Sequence, residues 1–228
     1  DLHAAEKFDA VVVVNPNNPT GRVWPAAPLM MLASVLAARG GHLIVDESFA
    51  DAAPQRQLSG HCGRPGLIVL RSFGKFFGLA GLRLGFALGP KEEIDRLTAW
   101  LGPWAVSGPA ISIATKAFAD TAWVETTRTR LQADSDALAA ALTAHGFEIV
   151  GQTPLFVTGA RTDAATLHTR LAKEGIWTRA FHYAPTWLRF GVSNASDRAR
   201  LVAALAAATP DADAAPDPST AVAQSRES

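Results

Sequence analysis

Cysteine is nearly absent from this sequence, since Cys62 is the only one among 228 residues. A lone thiol excludes an internal disulfide framework and a cysteine-rich zinc site, so no metal centre is predicted. It also fits a reducing compartment, and we expect a cytoplasmic protein. A net charge is absent as well, because 21 Lys and Arg residues balance 21 Asp and Glu residues. This balance removes any bulk attraction to nucleic acid or anionic membranes, so affinity for phosphate must be local.

Long apolar runs are also missing. The longest, Val23 to Ala38, lies between two arginines and is broken by Pro25 and Pro28, which makes it too short and too interrupted to span a bilayer. The residues that follow Asp1 show neither an initiator Met nor the pattern of a signal peptide. We therefore expect no membrane partner and a chain that is incomplete at its start. The 48% of hydrophobic residues still suffice for a sizeable core.

Short apolar runs alternate with helical patterns in the first half of the chain. The runs are residues 10–14, 42–46, 67–70 and 84–88. The β-branched first run predicts a strand buried on both faces. A helix is predicted over 26–38, and residues 91–145 are helical with interruptions at 102–103 and 108–109. This order predicts an α/β fold, with a mostly parallel sheet and helices on both faces.

A second alternation begins at Gly146. Strands are predicted over 147–150, 155–158, 176–179 and 187–192, and helices over 163–173, capped by Thr162, and 196–208. We interpret residues 1–120 as part of a large domain with an interdomain helix, and 121–208 as a smaller C-terminal α+β domain. Residues 209–228 are rich in Pro, Ala, Asp and Ser, and we expect a disordered tail.

Polar side chains follow three successive apolar strands. Asn18 follows the first, Asp46 ends the second, and Ser72 and Lys75 follow the third. In open α/β sheets the loops at the carboxyl edge of the strands converge on a ligand-binding crevice. We therefore expect these side chains to share one site.

Asp46 and Lys75 each have an ordinary explanation as well as a functional one. An acid at the end of an apolar strand is costly to desolvate, so Asp46 is expected to meet a cation, or else to cap a helix or form a salt bridge. Lys75 lies among Phe73, Phe76 and Phe77, where partial desolvation would free its amine for reaction with a carbonyl. The alternative is a lysine that extends over those rings to solvent.

One cofactor requires both groups. Pyridoxal phosphate needs an amine for its aldehyde and a carboxylate that keeps its ring nitrogen protonated. Its phosphate must also be held, and Ser72 offers a hydroxyl while Arg83 offers a guanidinium group. The pair of residues therefore predicts pyridoxal 5'-phosphate as the cofactor.

Three sequence blocks resemble the signature blocks of fold type I pyridoxal-phosphate enzymes, and they come in the family's order. The blocks are residues 15–21 (NPNNPTG), residues 46–49 (DESF), and residues 72–75 (SFGK) followed by 81–83 (GLR). The resemblance covers about residues 8 to 208 and implies a transferase-like large domain. It also implies that Asn18 contacts the 3-oxygen of the cofactor, with a candidate cis peptide at Asn18–Pro19. Asp46 would contact the ring nitrogen, Lys75 would react with the aldehyde, and Ser72 and Arg83 would bind the phosphate.

Within that fold, residues 69–86 and 102–109 resemble the threonine-phosphate decarboxylases of cobalamin biosynthesis, with the histidinol-phosphate aminotransferases as close relatives. The resemblance implies that Arg189, and Arg179 as a second candidate, bind an amino acid phosphate through its anionic groups. It also implies a homodimer. Position 49 is Phe where most of these aminotransferases have a Tyr, which favours the decarboxylase branch.

The sequence is compatible with three functions. They are decarboxylation of threonine O-3-phosphate, transamination of the histidinol-phosphate type, and an inactive truncated fragment or non-catalytic α/β module. The first third of the family pattern, which would supply a phosphate loop and an aromatic ring stacked on the cofactor, has no counterpart in this chain.

Overall fold

The computed structural model describes residues 7–54 and 57–207. The predicted tail at 209–228 lies outside the described residues. The first of two four-stranded sheets contains, in spatial order, β1 (Ala10–Val14), β2 (His42–Asp46), β3 (Leu67–Ser72) and β4 (Gly85–Leu88). Strands β1, β2 and β3 are parallel, and β4 runs antiparallel to β3. The predicted α/β class and mostly parallel sheet are therefore confirmed.

Helix α1 (Ala26–Ala37) covers one face of this sheet. Leu32 and Leu36 of the helix pack on Leu43 and Val45 of β2, with the inward side chains of β3 in the same core. The crossover from β1 through α1 to β2 is the connection that parallel strands require. The carboxyl ends of β1, β2 and β3 consequently lie at one edge of the sheet.

The opposite face of the first sheet is only partly covered. Helix α2 (Lys91–Leu101) lies against it and leaves an apolar groove of about 260 Å³ beside Ile44 and Ile68. Val12 on this face is 65% exposed. The prediction that β1 is buried on both faces is therefore wrong, because β1 is an edge strand and no described element covers its outer side there.

The helical region divides into three helices. The predicted interruption at 102–103 is confirmed, since α2 ends at Leu101. The predicted interruption at 108–109 is wrong. These residues instead begin α3 (Gly108–Ala119), whose first turn is capped by the Ser107 hydroxyl and tolerates a proline. Asp120 separates α3 from α4 (Thr121–Ala144) and caps α4 by accepting a hydrogen bond from the Trp123 amide.

The second sheet is antiparallel throughout. Its spatial order is β5 (Glu148–Thr153), β6 (Phe156–Ala160), β8 (Ala184–Gly191) and β7 (Arg179–Phe181). Its core is formed with α4, α5 (Ala164–Lys173) and α6 (Ala195–Ala207). This is the predicted α+β arrangement, while the domain boundaries given above stay predictions.

Two details of this region differ from the sequence predictions. Thr162 does not cap α5, because the helix begins after Asp163, whose carboxylate binds the Arg161 guanidinium instead. The last two strands run over 179–181 and 184–191 rather than 176–179 and 187–192. Cross-strand pairing and burial decide such boundaries, and a short apolar run does not specify them.

A small core cluster connects the two sheets. Phe76, from the loop after β3, packs with Leu131 of α4. Leu155, in the turn between β5 and β6, and Val192, directly after β8, lie against them. The loops at the carboxyl edge of the first sheet are therefore held against the second sheet. No helix among the described residues is long and apolar enough to cross a bilayer.

Candidate active site

Asp46 and Ser72 project from the same face of the first sheet. Asp46 pairs in register with Leu70, and Ser72 lies two residues beyond Leu70 on β3, so the alternation of side chains puts all three on one side. The Asp46 Oδ1 atom accepts hydrogen bonds from the Ser48 amide (2.9 Å) and hydroxyl (2.5 Å). Within residues 7–54 and 57–207, Oδ2 accepts no hydrogen bond. The Asp46 carboxylate thus has a fixed orientation and one free oxygen.

Ser72, Lys75 and Arg83 line one cavity of about 260 Å³. Ser72 Oγ accepts a hydrogen bond from the Gly74 amide (3.3 Å), and Arg83 Nη1 donates to the Ala80 carbonyl (3.3 Å). Arg83 takes a left-handed backbone conformation with φ of 53°. The cavity therefore combines an amine, a hydroxyl and a guanidinium group, although these residues are separated by up to eleven positions in the chain.

The predicted partial desolvation of Lys75 is wrong for this chain, because its side chain is exposed. Its Nζ lies 5.7 Å from the centre of the Phe49 ring, and that ring is its described aromatic contact. Phe73 and Phe76 turn inward and are buried, so they do not enclose the amine. The amine therefore faces the ring of Phe49, and a tyrosine at position 49 would add a hydroxyl to that ring.

A series of contacts connects Lys75 to the predicted substrate arginine. The Phe49 ring meets Phe156 of β6 edge to face at 5.3 Å between centroids. The Arg189 guanidinium lies over Phe156, with Cζ 5.4 Å from its centroid. Arg189 Nη1 then donates to Asn18 Oδ1 at 2.5 Å. The structure thereby brings Asn18, Lys75 and Arg189 around two phenylalanine rings, and the predicted cis bond at Asn18–Pro19 is present.

Arg179 and Arg189 are direct partners across β7 and β8. Burial lowers the pKa of Arg189, and the positive charge of Arg179 lowers it further, while Tyr183 opposes that shift. Two cations at directly opposed positions destabilise a sheet unless an anion lies between them. Arg179 also lines an open cleft of about 500 Å³ together with His182 and Trp177. This part of the second sheet is therefore suited to an anionic ligand.

A buried ion network beside the site was not foreseen. Glu47 is fully buried, and its carboxylate accepts a hydrogen bond from the Leu58 amide and lies 3.4 Å from Arg71, which also pairs with Asp51. Burial raises the pKa of Glu47, against the opposing effects of the Leu58 hydrogen bond and the Arg71 charge. The sequence feature that could have indicated this network is a charged residue immediately after Asp46 and another immediately before Ser72. Among the described residues Asp46 does not form the salt bridge that was considered for it, and its neighbour Glu47 pairs with Arg71 instead.

The residues of the first sheet fit the predicted cofactor. Ser72 and Arg83 can hold a phosphate, Lys75 can reach an aldehyde in the same cavity, and Asp46 has a free oxygen on the same sheet face. No cluster of three or more His, Cys, Asp or Glu residues suited to a metal ion occurs in the described parts of the chain. Burial and the nearby Glu47 carboxylate raise the pKa of the Cys62 thiol, which disfavours the reactive thiolate.

The chain belongs to the aminotransferase class I and II family, whose model matches residues 1–206. It is 48% identical over 209 residues to a threonine-phosphate decarboxylase of a Sinorhizobium species, an alignment that covers 86% of this chain and 59% of that protein. It is 47% identical over 201 residues to a threonine-phosphate decarboxylase of Pseudomonas aeruginosa, covering 88% of this chain and 60% of that one.

A solved structure of the same fold is the histidinol-phosphate aminotransferase from Sinorhizobium meliloti, in complex with pyridoxal-5'-phosphate. It superposes with a TM-score of 0.77 at 22% identity and covers 90% of this chain and 60% of that one. The chain thus spans about 60% of the length of these relatives. The comparisons confirm the resemblance and the fold that the sequence blocks indicated.

Proposed function

We propose that this protein is a pyridoxal-phosphate-dependent lyase that decarboxylates L-threonine O-3-phosphate to aminopropanol phosphate. The observation that carries the proposal is the cavity in which Ser72, Lys75 and Arg83 meet, connected to Arg189 through the rings of Phe49 and Phe156. The two relatives at 47–48% identity carry the name of this activity. We propose that the reaction belongs to cobalamin biosynthesis, as the sequence resemblance implies, and that the protein is cytoplasmic.

When bound, pyridoxal 5'-phosphate supplies an electron sink for the bond that breaks at the substrate Cα. Asp46, whose other oxygen is held by Ser48, would use its free oxygen to keep a proton on the ring nitrogen. Ser72 and Arg83 bind the cofactor phosphate, and Asn18 contacts the 3-oxygen. Lys75 would supply the amine that holds the cofactor aldehyde in this cavity, and after substrate binding the same amine would hold the proton that returns to Cα.

Arg189 and Arg179 select the bond that breaks. Arginines that hold the substrate carboxylate where the bound cofactor can accept the electrons of the Cα–carboxylate bond would favour loss of CO2. The Cα–carboxylate bond breaks, CO2 leaves, and a proton takes its place on Cα. Two cations in one row of the second sheet suit a substrate with both a carboxylate and a phosphate.

A homodimer belongs to the same proposal. Large apolar side chains on and between α2 and α3 are exposed, including Trp100 (77%), Trp104 (93%) and Ile111 (55%). Exposed apolar patches of this kind commonly mark interaction surfaces. Light scattering of the purified protein is expected to give twice the mass of one chain, and a monomeric mass would remove this part of the proposal.

The cofactor assignment is tested by trapping. The protein is incubated with pyridoxal 5'-phosphate, reduced with borohydride and digested, and the modified lysine is identified by peptide mapping. We expect the label on Lys75 and its loss in Lys75→Ala. Lys91→Ala is the matched control, since Lys91 is exposed and pairs only with Asp95 on its own helix among the described residues. A label on Lys91 or Lys116 in the unaltered protein would contradict the site.

The reaction is tested with carboxyl-labelled threonine O-3-phosphate. Release of labelled CO2 without any keto acid supports the lyase. Turnover that requires a keto acid and releases no CO2 identifies an aminotransferase of the histidinol-phosphate type instead. Trapping at no lysine, together with no turnover of either kind, would favour the third alternative, an inactive fragment or a non-catalytic α/β module.

A further inference from the structure

One row of residues crosses the second sheet at the level of the site. Gly151 of β5 pairs with Thr158 of β6, Thr158 pairs with Arg189 of β8, and Arg189 pairs with Arg179 of β7. Residues paired in this way direct their side chains to the same face of a sheet. Arg189 and Arg179 therefore lie in the same row as Gly151 and the buried Thr158.

Three successive residues of the loop after β1 lie across this row, one on each of its first three members. Asn18 accepts a hydrogen bond from Arg189 (2.5 Å), and the Pro19 carbonyl accepts one from the Thr158 hydroxyl (2.6 Å). The Thr20 carbonyl oxygen lies only 1.7 Å from the position that a Cβ on Gly151 would occupy. The loop backbone therefore rests directly on the strand backbone at Gly151.

Thr158 is fully buried, and its hydroxyl is the group that satisfies the Pro19 carbonyl. A buried carbonyl that loses its partner is costly, so this bond resists any movement of Pro19. Asn18 precedes Pro19 directly, and its own side chain is exposed. The backbone of Asn18 is consequently positioned by the contacts that Pro19 and Thr20 make with the second sheet, while Arg189 binds its side-chain oxygen.

We propose that Thr158 and Gly151 are positioning residues that hold Asn18 in place for the ligand of the active site. Thr158 fixes Pro19 through its hydroxyl, and Gly151 permits the close approach of Thr20. The second sheet thereby sets where the Asn18 amide stands relative to both the first sheet and Arg189. The part of this inference that concerns the cofactor rests on the proposed function.

The first test needs no cofactor. Hydrogen exchange is measured in Thr158→Val, which keeps the side-chain size and removes the hydroxyl. The reporters are the amides of Asn17 and Gly21, which are bonded within the loop to the Arg22 and Asn17 carbonyls. We expect their protection to fall about tenfold, the equivalent of roughly one hydrogen bond. Thr158→Ser retains the hydroxyl and is expected to restore protection.

Thr169→Val is the matched control, because the Thr169 hydroxyl is exposed and, among the described residues, bonds only to Ala165 of its own helix. Unchanged loop protection in Thr158→Val, or an equal loss in Thr158→Val and Thr169→Val, would overturn the positioning role. If Thr158→Val does not fold, Thr158→Ser provides the test. This variant keeps the hydroxyl, so reduced loop protection in it would also overturn the positioning role.

The second test uses the protein loaded with pyridoxal 5'-phosphate. We expect Thr158→Val to move the pH midpoint of the visible cofactor absorbance in the same direction as Asn18→Ala, and to weaken cofactor binding in equilibrium dialysis. Loop protection that falls without any spectral change leaves the positioning of Asn18 supported and contradicts its proposed contact with the cofactor. The two arms therefore separate failure of this inference from failure of the proposed function.

Discussion

Gly151 offers the sharpest test of how the two sheets are joined. Its φ is not in the left-handed region, so an alanine would fit the local backbone, and the obstacle is purely steric. A Cβ there would lie 1.7 Å from the Thr20 oxygen and 2.3 Å from the Thr20 carbonyl carbon, against 3.4–4 Å for ordinary contact. Because both neighbours are backbone atoms, no side-chain rotation relieves the clash. In Gly151→Ala the loop has to retreat from β5 by about 1.5 Å.

This movement of the loop lowers the free energy of unfolding in two ways. It would stretch the 2.6 Å bond between Thr158 and Pro19 beyond hydrogen-bond distance, and loss of a buried bond costs about 1–3 kcal/mol. Overpacking adds about 1–3 kcal/mol. We therefore expect Gly151→Ala to lower the free energy of unfolding by about 2–6 kcal/mol. With a urea slope of about 3 kcal/mol per M, this corresponds to a fall of the midpoint by about 0.7–2 M.

Gly191→Ala is the matched control for this prediction. Gly191 ends β8 of the same sheet, and a Cβ there meets no atom within 4 Å. Replacing such a glycine reduces the entropy of the unfolded chain, so Gly191→Ala is expected to be neutral or to stabilise by up to about 1 kcal/mol. Equal shifts of the urea midpoint in the two variants would refute the close approach of Thr20 to β5.

Two further predictions concern charge. Burial raises the pKa of Glu47 in the folded protein above its ordinary value of 4.5. The stability that Glu47 contributes is therefore fully present below pH 4.5 and is lost as the pH rises through the raised folded pKa. Glu47→Gln, which cannot ionise, is expected to lack this decline in urea unfolding measured from pH 4.5 upward, and an identical pH profile would contradict the assignment. Arg179→Gln removes a like charge opposite Arg189 and is expected to raise the stability of the ligand-free protein by about 0.2–1 kcal/mol. It should also reduce the stabilisation that inorganic phosphate gives in thermal melts, and equal phosphate stabilisation of both proteins would argue against an anion site between the arginines.

The sequence was informative wherever a local pattern carries the physical constraint. An apolar run that ends at Asp46 and a glycine-containing loop around Lys75 are local features, and the order of three such blocks was enough to predict the fold class and the family. The helix predicted over 26–38 and the strand predicted over 84–88 are present at 26–37 and 85–88, while the antiparallel direction of that strand is seen only in the structure. These properties depend on residues that are near one another in the chain.

Other features depended on pairing between distant segments, and only the tertiary structure decided them. The row that seats the Asn18 loop joins Gly151, Thr158 and Arg189 through strand register. Strand register reflects the packing of both partners, which no single run of residues contains. The exposure of Val12 and Lys75 likewise depends on which elements cover them. Residues close together in the chain therefore determined which groups could form the site, and the packing of the two sheets determined the positions of those groups.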